Sequence, residues 1–181
     1  MTLSENEYKE YLNTHLDVLY FSGRQKSIFP ASTDFKKFLN LDLQIKFRCR
    51  EALLENNDIV DEYIASNFDH LSNAQVEILA GFRKKIRSNF VILKCLKSHA
   101  IFIDTENNNF YAVNALRDPF DCFFETFPVS ITTTLIPFKD KIIYDGFFQS
   151  QGIYYGRNLT REMNEMYKTA KRSKKIISFL R

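Results

Sequence analysis

Residues 71–96 read LSNAQVEILAGFRKKIRSNFVILKCL, and the hydrophobic period changes inside this one stretch. Its first part is helical. Ser72 with Gln75 three positions on forms a capping box, and Leu71 before the cap with Val76 after it makes a hydrophobic staple. Val76, Leu79, Ala80, Arg83 and Ile86 then keep helical spacing, and the basic residues at the end suit the negative pole of a helix dipole. Around Ser88 the pattern turns into extended runs. FVILKCL, AIFID and FYAVNAL are separated by Lys97-Ser98-His99 and by Glu106-Asn107-Asn108-Asn109, which predicts two consecutive hairpins.

Upstream of the switch the chain reads as helix. Tyr8, Tyr11, Leu12, Leu16 and Leu19 mark a first helix over residues 4–20, and FSGRQKSIFPAST follows as a loop with Gly23 and Pro30 as breakers. Thr33 or Asp34 caps a second helix through FKKFLNLDLQIKFRCREALLE, with a bend near Asn40-Leu41. DIVDEYIASNF is a short acidic helix with Ile59, Val60, Tyr63 and Ile64 on one face. Downstream, Asp118-Pro119 resembles a helix start, and DPFDCFFETF is expected to give about two turns presenting Phe120, Phe123 and Phe124. VSITTTLIPF, KIIYDGFF and GIYYG are strands, joined by Lys139-Asp140 and by an Asp145-Gly146 turn; Pro137 marks an edge or a strand end. NLTREMNEMYKTAKRSKK closes the chain as an amphipathic helix capped by Asn158, with Leu159, Met163, Met166, Tyr167 and Ala170 on one face.

The expected fold is therefore α+β: a helical N-terminal half (residues 1–87), then a small antiparallel sheet or half-open barrel of five to six strands and a C-terminal helix (88–181), packed as one unit. Eighteen Phe and nine Tyr can supply its core, although an AT-rich coding bias is the plainer source of so many phenylalanines.

Four segments, NFVILKCLKSHAIFID, DPF, LIPFKDKIIYDGFF and YYGRNLTREMNEMYKTAK, together resemble a family of uncharacterised bacterial proteins. That family shares a leucine-proline-phenylalanine run, an isoleucine-tyrosine-aspartate-glycine turn, and a glycine turn into a terminal helix. The likeness spans roughly residues 72–175 and implies a fold without implying an activity. Ile136 stands where the family has leucine before proline, and Arg157-Asn158 replaces further glycines, which disfavours close backbone approach of a ligand at that turn.

A net charge of +3 does not by itself signal nucleic acid, but the charges are segregated. Residues 51–77 carry acids and no Lys or Arg, residues 81–99 carry Lys and Arg and no acid, and the segment from Arg157 is basic again. Three widely spaced cysteines without a C-x-x-C pair signal neither a disulfide scaffold nor zinc. The polar, acidic start is unlike a secretory signal, and Lys94, Lys97 and Asp104 interrupt the longest apolar stretches, so a soluble cytoplasmic protein is expected.

The chemistry-bearing candidates each have a plain alternative. Cys95, His99 and Asp104 suggest a nucleophile, base and acid, but equally a buried thiol and a solvated turn histidine. His15, His70 and His99 have no metal-ligand spacing, and neither a metal nor a cofactor is expected. Arg157 and Arg161 at a helix start can hold an anion. Arg83, Lys84, Lys85 and Arg87, with Lys171, Arg172, Lys174 and Lys175 and the strand aromatics Tyr111, Tyr154 and Tyr155, can bind nucleic acid, or be solvated helix ends. An enzyme site would draw on Asp118, Tyr144, Asp145, Arg157 and Arg161. The leading expectation is a non-enzymatic protein that binds a protein partner, in a mobile-element, phage or defence setting, with nucleic-acid binding as the alternative.

Overall fold

Asp34, Asp42 and Ser72 each accept a backbone N–H at the start of a helix, and these three caps punctuate the N-terminal half. The computed structural model describes residues 1–180. Its helices are α1 (Glu5–Gln25), α2 (Phe35–Leu39), α3 (Leu43–Glu55), α4 (Asp58–Asn67), α5 (Asn73–Gly81) and α6 (Arg157–Arg172). The strands are β1 (Ile86–Cys95), β2 (Ala100–Asp104), β3 (Phe110–Asn114), β4 (Val129–Phe138), β5 (Lys141–Tyr154) and β6 (Ile176–Ile177). The chain forms two compact units, a helical one over Asn6–Arg83 and a β unit of Met1–Glu5 with the residues from Lys84 onward.

In the helical unit the expected bend near Asn40-Leu41 is a full break between α2 and α3, because Asp42 caps a new helix through Gln44 N–H at 2.7 Å. The capping box at Ser72 and Gln75 forms as the sequence implies. The helix after it ends at Gly81, so Arg83 and Lys84 lie in a 3-10 turn, while Ile86 and Arg87 already pair with Leu135 and Thr134 in the sheet. Tyr11, Val18, Leu19, Phe38, Leu53 and Leu79 are fully buried. Gly23 is required for packing: a Cβ there would lie 2.2 Å from Phe29 Cε1 and 2.6 Å from Cys49 Sγ.

The sheet of the β unit has the order β2-β1-β4-β5-β3-β6, and β2 pairs in addition with β3. Its α+β class is as expected, but the sheet is mixed, not purely antiparallel, since β3 runs parallel to both β5 and β6. The β3–β5 seam is only two residue pairs long, so the sheet curls without closing along its length. Thr2 adds a parallel bridge to Ala115, and Leu3 N–H donates to Ala115 and Leu116, which ties the first residues to the end of β3.

The unbroken apolar run of β1 has a physical reason: the strand is covered on both faces. Phe90 contacts Phe102 and Tyr111, Phe102 contacts Phe120, and Phe120 contacts Tyr144 on one face. Val91 and Leu93, with Ile101, Ile103 and Phe110, pack instead against Tyr167 and Ala170 of α6. Two expected faces need correction here. Met166 and Leu159 are exposed, so the buried stripe of α6 narrows to Met163, Tyr167 and Ala170. Asn158 does not cap α6; Gly156 takes the cap position, and Asn158 lies within the first turn.

Two further expectations are overturned. Asp145-Gly146 is not a turn. It sits inside β5, where Gly146 has φ +94° and the register to β4 slips between Thr133 and Leu135, so the strand absorbs the extra residues as a bulge. The single turn in LIPFKDKIIYDGFF is Lys139-Asp140, with Lys139 at φ +53°. DPFDCFFETF makes one 3-10 turn, Phe120–Cys122, because its phenylalanines are spent on the sheet: Phe120 faces Phe102, and Phe123 and Phe124 face Phe148.

Candidate anion-binding face

The exposed side of α6 carries a row at helical spacing: Arg157, Arg161, Glu165, Lys168 and Arg172, with Lys171 beside it. At 1.5 Å per residue the helix is roughly 24 Å long, so the row is a ridge and not a point site. Lys168 Nζ donates to Glu165 Oε1 at 2.7 Å. Glu165 is held below the usual carboxylate range first by that hydrogen bond and then by the charges of Lys168, Arg172 and Arg161. One carboxylate is thus set among three cations.

The strand beneath adds to the ridge. The register of β1 against β2 slips between Ile92 and Lys94, which breaks the in-out alternation and turns Lys94 toward the same helix that Leu93 packs on. Lys94 Nζ stands 4.4 Å from the Tyr167 ring centroid and donates to Asn164 Oδ1 at 2.6 Å. Burial lowers its pKa, and the neighbouring Lys168 and Lys171 lower it further. His99, in the β1–β2 turn, is lowered by burial, then by the N-terminal ammonium and by Lys171. That ammonium donates to Lys97 O at 3.2 Å, and Ser98 Oγ lies 2.9 Å from His99 Nδ1. Lys168 and Lys171 beside Lys94, and Lys171 beside His99, therefore concentrate positive charge on this face, the condition under which an arriving anion gains most.

The sequence candidates divide accordingly. Arg157, Arg161, Lys171 and Arg172 share α6 and belong to the ridge. Lys94, Lys168 and His99 join them, though the sequence reading does not mark these three as anion ligands. The four-residue spacing of Arg157, Arg161 and the later basics is a legible signal, whereas the β1 bulge is not. Arg83 belongs to the helical unit and is hydrogen-bonded to Asp61. Lys84 is exposed, Lys85 is half-buried with its pKa lowered by that burial, and Arg87 is exposed opposite Thr134. Arg87 and Lys94 are seven residues apart on one strand, roughly 23 Å, so these basics mark the far end of β1. Lys174 and Lys175 continue past α6, exposed.

The aromatic platform expected on the sheet does not assemble. Tyr111 is buried, Tyr155 is half-buried and 2.6 Å from Ser130 Oγ, and Tyr154 alone of the three is exposed. The catalytic candidates also separate. Asp104 accepts from Ser88 Oγ at 2.7 Å and from the turn after β2, while Cys95 lies at the opposite end of the β1–β2 ladder, opposite Ala100. Burial, followed by the charge of Asp121, pushes the Cys95 thiol up to about 11, away from nucleophile chemistry. Asp118 is exposed in a loop, Tyr144 is packed on Phe120, and Asp145 is fully buried with Phe147 N–H donating to its Oδ1 at 3.2 Å. Among the described residues no group of three or more His, Cys, Asp or Glu side chains is placed to hold a metal ion, and no helix is long and apolar enough to cross a membrane.

No family model, curated protein or solved structure matches the chain.

Proposed function

We propose that the β unit binds the phosphate backbone of a nucleic acid without reading its sequence. The observation that carries this reading is the convergence of Arg161, Lys168, Arg172, Lys94 and Lys171 on one side of α6, with Glu165 the acid set among them. The charge partition of the whole chain supports it. The helical unit holds twelve Asp and Glu against nine Lys and Arg, and the β unit ten against sixteen, so the net positive charge belongs to the β unit. Strands β1, β2, β3, β5 and β4 pair in a ring with one short seam, which supports the finer description of a half-open barrel. Small partly open barrels of this kind serve as oligonucleotide binders, an analogy of architecture that carries no function alone.

Without an exposed aromatic platform, affinity comes mainly from backbone contact, since base stacking supplies about 1–3 kcal/mol per base only where a ring is available. Amide chemical shifts of the protein, followed while a short thymidine oligonucleotide is added, test the assignment. Shifts are expected at residues 94–99 and along 157–175. Shifts confined to residues 84–89, or to the helical unit, would overturn it.

A further inference from the structure

The flank of α6 that carries Met166, Thr169 and Ser173 borders a groove of about 470 Å³, bounded on its other side by the turn between β2 and β3, a size ordinary for a small-ligand site. Phe110 and Ala170, both buried, and Met166, 42% exposed, give it an apolar lining. Phe110 is held by Tyr167, 6.2 Å away between ring centroids. The turn is braced from within. Asn107 Nδ2 and Glu106 N–H donate to the Asp104 carboxylate at 2.8 and 3.0 Å, Asn108 N–H donates to Asp104 O at 2.9 Å, and Asn108 takes φ +59°, which asparagine tolerates. The groove therefore stands formed before a ligand arrives. It also adjoins the ridge: Glu165 lines it, and Thr169 and Ser173 each follow a ridge cation, Lys168 and Arg172, by one residue, or about 100° round the helix.

We infer, on the phosphate-binding reading of the ridge, that the bound strand is single and turns one base into this groove. An occupant has to bring negative charge for Lys168, Arg172 and the groove's own Lys175, an apolar face for Met166 and Phe110, and polar edges for the Asn108 amide and the Thr169 and Ser173 hydroxyls. A base on a sugar-phosphate chain brings all three. An acyl chain would set hydrocarbon against the amide and the hydroxyls. A base within a duplex has its edge paired and its faces stacked, so only an unpaired base can enter. Amide and hydroxyl groups both donate and accept, so the rim meets the edge of any base, in keeping with binding that does not read sequence. Glu165, the acid on the shared border, is already bonded to Lys168.

The chain has three methionines, so methyl-labelled methionine gives a simple spectrum in which Met166→Leu identifies the groove's own signal. A short deoxyadenosine oligonucleotide is expected to move the Met166 methyl upfield, since a purine ring stacked on the thioether shields it. An abasic sugar-phosphate strand of the same length is expected to move the α6 amides and not that methyl. Thr169→Phe, which fills the groove from the helix side, is expected to lower the ratio of oligonucleotide affinity to abasic-strand affinity about tenfold. The wild-type methyl signal decides the matter even if this variant does not fold. Oligonucleotide shifts along α6 with Met166 unmoved would overturn base insertion and leave the phosphate ridge standing, whereas no shift anywhere would remove both. Deoxyadenosine monophosphate that saturates the Met166 shift as tightly as the strand would also overturn it, because the groove would then be a free-nucleotide site.

Discussion

His15 lies on α1 with its ring 5.3 Å from Tyr11 and 5.2 Å from Phe82, and Tyr11 Oη is 3.2 Å from its Nδ1. Burial first, then the charge of Arg50, brings its pKa down to about 3. A base whose folded pKa is depressed favours folding only while it is neutral. Above pH 6.5 neither state binds the proton, so His15 adds no pH dependence there. Below that the unfolded chain takes up a proton that the folded chain refuses, and stability falls by up to ~1.4 kcal/mol per pH unit. Urea unfolding at pH 7 and pH 5 is expected to show this loss, and His15→Gln to reduce it; the lowered pKa of His99 leaves a smaller slope of the same sign. None of this is legible from the histidine alone. The ring that encloses it, Phe82, is 67 positions away, and no local pattern encodes such a contact. Ser72 and Gln75 are the opposite case. Their bonds span three residues, so the sequence contains the whole motif.

At the scale of elements, the same distinction separates what can be read from what cannot. The strands of β1 to β4 and the turn Lys139-Asp140 follow from local alternation and turn chemistry. Asp145-Gly146 has the composition of a turn, yet β4 continues past it and keeps pairing, so a glycine that could reverse the chain serves a bulge instead. Helix α6 is visible from its spacing, but the width of its buried face depends on how much of β1 and β2 lies beneath it. The capping box of α5 offers a quantitative check of the local reading. Ser72→Ala is expected to cost about 1 kcal/mol, seen as a lower urea midpoint with an unchanged slope. A change below a few tenths of that would mean that tertiary packing, not the cap, sets the start of α5.

For the molecule as a whole, the charge partition between the two units is a property of the sequence, and the switch in period at residues 71–96 is enough to locate it. The membership of the ridge is not, because it joins α6 to a bulged residue of β1. Removing one ridge cation should therefore act on salt dependence and not on sequence preference. The most direct measurement is fluorescence anisotropy with a short labelled single strand over a salt series, for the wild type and for Lys168→Gln. Engagement of five phosphates predicts that log K falls against log salt with a slope of about −3.5, and that the variant's slope is shallower by roughly 0.7. Absence of binding at low salt, or a slope that Lys168→Gln leaves unchanged, would contradict the assignment of the α6 ridge as a phosphate-binding face.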